Sequence, residues 1–278
     1  MKPESAAFAT EQLRANDRDR YFATLLLAPK ERAALTALYA FSADIASVRD
    51  RAREPAAGEI RLQWWADALT GEGHGAVRAN PLADALLDTI TDYALPVPPL
   101  TRMIDARRFD LYDDPMPDIA TFEGYAGETV SALYQVGAMI LNGGRPVETG
   151  DAAGHLGVAH ALIGHLRAFG YNASRGRIFV PWNVLAANGV TESELFTGQM
   201  SEGLAAGLGQ LADIAADHLG KADIAIKALP RGLRPVFVQI AVLKLQHARL
   251  KLETPFQTAG DLSDWRKIAA LSWWKLRN

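Results

Sequence analysis

Nowhere in these 278 residues does a turn dipeptide stand between two alternating apolar runs, so the chain carries no signature of a β-hairpin. Apolar residues recur instead at helical spacing, in segments separated by turn chemistry. Gly71–Gly75 (GEGHG), Asp113–Pro117 (DDPMP) and Asn142–Pro146 (NGGRP) end helices, and Pro230, Pro235 and Pro255 do so later. Between these breaks the periodicity predicts helices over roughly Glu4–Ala15, Arg18–Leu27, Lys30–Asp50, Glu54–Thr70, Pro81–Tyr93, Pro98–Tyr112, Ile119–Leu141, Asp151–Tyr171, Val180–Asn188, Glu192–Thr197, Met200–Lys227, Arg234–Glu253 and Asp264–Lys275. The expected fold class is all-α. With 49% hydrophobic residues and no repeat, low-complexity tract or long linker, residues 1–278 read as a single domain with a sizeable core.

Composition narrows the function classes. A formal net charge of −3 and a pI near 6.1 give no global attraction to nucleic acid, which is not an expected partner. The absence of cysteine excludes disulfides and thiolate metal sites. Acids and bases mix through the first twenty residues without an apolar run, so no secretory signal is expected and a cytoplasmic location is. The longest stretch free of Asp, Glu, Lys and Arg is the sixteen residues Thr129–Gly144, short of the roughly 20 that cross a bilayer. It reads as a buried helix.

The chemistry-bearing segment is Ile163–Pro181, IGHLRAFGYNASRGRIFVP. It resembles the second aspartate-rich region of the squalene/phytoene synthase family, in which L-R-D-x-x-x-D on a helix precedes R-G-R-x-Y-x-P. Leu166, Arg167, Gly170, Arg175, Gly176, Arg177 and Pro181 keep that frame, while the two acidic positions fall on Ala168 and Asn172. Residues four apart share a helix face, so the family's pair projects two carboxylates into one cavity. The resemblance implies that such a pair holds Mg²⁺, an ion suited to carboxylate and phosphate oxygens, against a prenyl diphosphate. In Leu25–Asp50 the family's first region, Y-A-F-C-R-x-x-D-D-x-x-D, lays its acidic positions on Ala46, Ser47 and Asp50. Only Asp50 is an acid. Asp44 lies about 120° around a helix from Asp50 and is no substitute, and Pro55 disfavours helical geometry at Glu54.

The likeness runs over most of the chain. Gly58–Leu69 (GEIRLQWWADAL) and Met103–Leu111 (MIDARRFDL) match family segments, with Asp110 on an acidic position. Phe122–Tyr134 (FEGYAGETVSALY) departs at Thr129 and Ser131, and His155–Arg167 departs at Ala161 and Gly164, where the family has glutamine and asparagine. Tyr125–Leu133, Arg61–Trp65 and Ser174–Pro181 are most similar to a branch that contains the assembly factor of mitochondrial respiratory complex I and its bacterial relatives. The resemblance implies a helical bundle of the isoprenoid-synthase type, complex I subunits or assembly intermediates as partners, and no cofactor. Two other functions stay open: a prenyl-diphosphate-using transferase, which would need Mg²⁺, and a carrier of an isoprenoid or quinone-like lipid.

Other residues are weighed on their spacing. The resemblance makes Asp110, Tyr125 and Thr129 candidates to line a cavity. Arg167, Arg175 and Arg177 could cradle an anion, since guanidinium forks match phosphate; alternatively Arg167 pairs with an acid and the other two cap a helix end. His155, His160 and His165 step by about 140° and cannot share one face. Asp110, Asp113, Asp114 and Asp118 could hold a cation at a helix end, but Pro115 and Pro117 favour a solvated acidic turn. Of Trp64 and Trp65 at most one points fully inward. The C-terminal helix over 264–278 sets Trp265, Ile268, Leu271, Trp273, Trp274 and Leu276 among Arg266, Lys267, Lys275 and Arg277. It suits either docking on the domain or peripheral contact with the inner membrane.

Overall fold

The computed structural model describes residues 1–257 and 260–278, and among them there is no strand. The helices are α1 (Pro3–Asn16), α2 (Arg18–Thr24), α3 (Pro29–Ala46), α4 (Val48–Arg51), α5 (Pro55–Thr70), α6 (Pro81–Asp92), α7 (Pro98–Arg107), α8 (Ile119–Ala126), α9 (Ala132–Leu141), α10 (Gly150–Arg167), α11 (Phe169–Ala173), α12 (Trp182–Ala187), α13 (Glu192–Thr197), α14 (Glu202–Ala228), α15 (Ile240–His247) and α16 (Asp264–Arg277). Their starts follow capping chemistry. Proline opens α1, α3, α5, α6 and α7, where a missing N–H costs nothing. Asp17, Asn80, Asp118, Thr191 and Ser201 accept from the first-turn amides of α2, α6, α8, α13 and α14.

The expected helices are found with five revisions. Lys30–Asp50 breaks at Ser47, whose hydroxyl donates to the Asp44 carbonyl (2.8 Å), as does the Arg51 guanidinium (2.7 Å). Side chains have taken a carbonyl at the helix end, so the ladder stops there. Asp151–Tyr171 breaks at Ala168, because Gly170 passes so close to Phe256 that an added Cβ would lie 2.6 Å from its Cα. Ile119–Leu141 is continuous, but Gly127–Ser131 widens to a π turn. Pro98–Tyr112 and Arg234–Glu253 tighten to 3-10 geometry over Arg108–Leu111 and Arg234–Phe237, and α15 ends at His247.

α3, α9 and α10 form the centre. α3 is buried continuously from Ala34 to Ser42, and α10 buries ten residues on nearly every side. The expected buried helix at Thr129–Gly144 is there, with Leu133, Tyr134, Val136 and Ile140 in the core. Around this centre α1 and α6 cover α3, and α14 lies along α10. Fully buried Phe41, Trp65, Phe122 and Phe237 contribute about 2–3 kcal/mol each. α10 approaches the π turn so closely that a Cβ on Gly157 would meet the Ser131 Oγ at 2.1 Å and its backbone N at 2.6 Å. A second, smaller core of Phe22, Ala23, Val238, Val242, Leu262 and Leu271 seats α16.

Candidate functional site

The two motif regions meet at one rim of the bundle. Ala46 is the last residue of α3, and Asp50 lies in the short α4 beyond the break. Ala168 caps α10, and the Asn172 amide bonds the Ala168 carbonyl at 2.9 Å. Between these regions stands an ion-pair network. Arg177 reaches Asp50 at 3.4 Å and Asp113 at 3.8 Å, Arg49 also pairs with Asp113, and the Tyr171 hydroxyl lies 3.4 Å from Asp50. The acidic turn at 113–118 is therefore tied to the rim at Asp113, while Asp118 caps α8. Main-chain bonds Met116 N to Ile178 O (2.8 Å) and Trp182 N to Met116 O (2.7 Å) hold that turn against the segment after α11.

The three candidate anion-binding arginines are each engaged by a different partner. Arg167 pairs with Asp261 (2.9 Å), the Arg175 guanidinium sits 3.7 Å from the centre of the Tyr171 ring, and Arg177 holds Asp50. Asp44 turns to the far side, accepting from Trp65 Nε1 (2.8 Å) and Arg51 (2.7 Å). Glu54 is extended, outside α5. Mg²⁺ needs several hard, negatively charged or neutral oxygen donors. Asp50 is the one carboxylate among Ala46, Ser47, Asp50, Ala168 and Asn172, and it faces a guanidinium, so this donor set does not fit the ion. Among the described residues no group of three or more His, Cys, Asp or Glu is placed to hold a metal.

Below the rim lies a cavity of about 170 Å³. α10 lines it with His160, Ala161, Gly164 and His165, the α8 segment and π turn with Tyr125 and Thr129, and Arg20, Ser42 and Arg107 complete it. Asp110 is bonded to two of these lining residues. Arg107 donates to Asp110 (2.9 Å) and to the Tyr125 hydroxyl (2.5 Å), which itself donates to Asp110 (2.7 Å). The Thr129 hydroxyl donates to the Tyr125 carbonyl (2.7 Å). Arg20 is matched by Asp17 at 2.6 Å. Each guanidinium thus has its own carboxylate.

The histidines of the cavity are neutral. Burial pulls His165 down to about 4, with Asp110 opposing and Arg107 assisting. Burial likewise holds His160 well below the usual imidazole range, with Arg20 and Arg167 adding to it, and its Nδ1 meets the Tyr134 hydroxyl at 2.8 Å. Loss of hydration raises the Tyr125, Tyr134 and Tyr39 hydroxyls. The site can offer hydrogen bonds to a small polar guest. It lacks net charge for a diphosphate, and its volume falls below the roughly 300–1,000 Å³ of typical small-molecule sites.

The cavity brings together Tyr125 and Thr129 and, one bond removed, Asp110. Arg20, Arg107, His160 and His165 were not among the expected site residues. His155 meets His218 at 3.1 Å, whereas His160 and His165 both line the cavity, so the three do not act as one cluster. Of the tryptophan pair, Trp65 is buried, and Trp64 lines a separate surface hollow of about 580 Å³ with Phe8 and Ile60.

Compared with known families, the chain matches squalene/phytoene synthase over residues 13–268. Complex I assembly factor 6 of NADH dehydrogenase (ubiquinone) from Bos taurus is 28% identical over 253 residues, covering 89% of this chain and 76% of that protein. The Homo sapiens assembly factor 6 is 28% identical over 237 residues, covering 85% and 71%. The 15-cis-phytoene synthase of Synechococcus elongatus is 27% identical over 269 residues, covering 90% and 86%. Among solved structures, a dehydrosqualene synthase in complex with ligand superposes with a TM-score of 0.79 at 20% identity, over 99% of this chain and 96% of the other. Squalene synthase HpnC from Alicyclobacillus acidocaldarius gives 0.72 at 19% identity, over 88% and 92%. These likenesses show the all-α isoprenoid-synthase fold.

Proposed function

The chain belongs to the squalene/phytoene synthase family, and from that premise we propose that it no longer carries out prenyl-diphosphate chemistry and serves instead in the assembly of respiratory complex I. The observation that carries this reading is the Asp50–Arg177 pair. Of the five acidic positions in the family's two aspartate-rich regions, only Asp50 keeps its acid, and a guanidinium reaches it from the opposite region. An Arg–Asp contact links the two regions where a metal would need carboxylates from both. Losing metal stabilisation of a developing diphosphate costs several kcal/mol, and each 1.36 kcal/mol is about tenfold in rate. No cofactor is assigned. The partners are complex I subunits or assembly intermediates, on the strength of the two assembly-factor relatives.

One observation favours a second reading, a transferase that still uses a prenyl diphosphate: the 15-cis-phytoene synthase of Synechococcus elongatus is 27% identical over 90% of this chain. A lipid-carrier role draws less support, because the cavity is small and lined by charged and hydroxyl groups. The deciding experiment incubates the purified chain with Mg²⁺ and farnesyl or geranylgeranyl diphosphate. No pyrophosphate release above background is expected. Steady turnover to squalene, phytoene or a related hydrocarbon would overturn the assembly reading in favour of the transferase.

A further inference from the structure

α16 has two apolar faces, and only one of them is covered. Leu271 and Lys267 are buried and Trp274 packs on the small core, Lys267 being held by Asp19 (2.6 Å) and Asp261 (2.5 Å). The opposite face carries Trp265, Ile268, Trp273 and Leu276, which are 66%, 43%, 62% and 82% exposed. At about 100° per residue, Trp265, Ile268, Ser272 and Leu276 form one stripe along the helix, with Trp273 at its edge. A docked helix ordinarily turns polar residues outward.

Cations border this stripe. Arg266 lies with its guanidinium 5.3 Å from the Trp265 ring, and Arg277 5.2 Å from the Trp273 ring. On the other border Lys275 donates to the Leu26 carbonyl, beside exposed Leu25. Asp264 is the one acid of α16 and is paired with Arg18. Tryptophans at the level of arginines and lysines match the boundary between acyl chains and phosphate headgroups. Fourteen residues span about 21 Å, less than a hydrocarbon core of about 30 Å, and no described helix is long and apolar enough to cross a membrane. Self-association through this face would set Arg266 and Arg277 against their own copies, so charge favours an anionic partner surface.

We propose that the outer face of α16 is a docking surface for anionic phospholipid, on which the helix lies in the interfacial plane with Trp265, Trp273 and Leu276 inserted. The proposal does not depend on the complex I reading. The full chain is tested with vesicles of phosphatidylcholine alone and of phosphatidylcholine mixed with phosphatidylglycerol, by co-sedimentation and by quenching of tryptophan emission with brominated acyl chains. Binding to the anionic vesicles is expected, weakened by salt. Trp265→Ser/Trp273→Ser/Leu276→Ser should weaken it at least tenfold, and Arg266→Gln/Arg277→Gln about thirtyfold, from about 1 kcal/mol per basic residue at such a surface. Thermal unfolding should be unchanged in both, since neither set lies in the core. Absence of binding by the unaltered chain, or undiminished binding by both variants, overturns the proposal. A loss of dimer mass in the variants without vesicle binding would assign the face to a second copy.

Discussion

At the scale of single residues, the cavity is governed by which polar group loses water and what replaces it. His165, among Phe122, Tyr125 and Phe179, is pulled from 6.5 to about 4 because burial disfavours the imidazolium. Between those values the unfolded chain takes up a proton that the folded chain refuses, so stability rises with pH across that window. The contribution is complete above about 6.5, lost below about 4, and on the order of 3 kcal/mol. His165→Gln should flatten the rise of the urea midpoint between pH 4 and 6.5. A variant that keeps the full slope would assign the titration to another group, with His160 the next to test. Asp110 and Tyr125 were legible through the resemblance, but their partner Arg107 was not. Arg107 and Arg108 are neighbours with the same chemistry, and a turn of about 100° sends one inward to Asp110 and the other outward to Glu59 and Gln63.

At the scale of elements, helices sit where proline, glycine and capping residues put them, because those signals act within one turn of chain. The breaks at Ser47 and Ala168 escaped that reading. The first depends on Arg51 folding back onto the Asp44 carbonyl, and the second on Gly170 passing Phe256 some 86 residues away in sequence. The π turn is likewise set by its fit to α10. That contact makes Gly157 a sharp test of packing against propensity. Alanine favours a helix by about 1 kcal/mol over glycine, yet at Gly157 its Cβ would meet the Ser131 backbone at 2.6 Å, and overpacking costs about 1–3 kcal/mol. Gly157→Ala should therefore lower stability to urea, while Gly209→Ala in α14, where a Cβ meets nothing within 4 Å, should raise it. Equal effects of the two changes would mean that α10 can shift away from the π turn at little cost.

At the scale of the whole molecule, the main core and the rim above it answer to different demands. The core holds the inherited bundle, and its helical class was readable from periodicity. The network closing the rim was not, since it joins α4, the turn after α7 and the segment after α11, and pairing across such separations leaves no local pattern. This division predicts opposite fates for two aspartates. Asp50 is 52% exposed and its ion pair is worth about 1 kcal/mol or less, so Asp50→Ala should fold normally. Asp110 neutralises an otherwise buried Arg107, and Asp110→Ala should cost about 3–5 kcal/mol. In a strain lacking the gene, assembled complex I and NADH-dependent respiration should fall while carotenoids and hopanoids stay unchanged. Complementation with Asp50→Ala should then restore complex I, whereas Asp110→Ala should fail through low protein level. Normal complex I with lost isoprenoid products in the deletion strain, and rescue that requires Asp50, would show that the rim carboxylate still serves diphosphate chemistry.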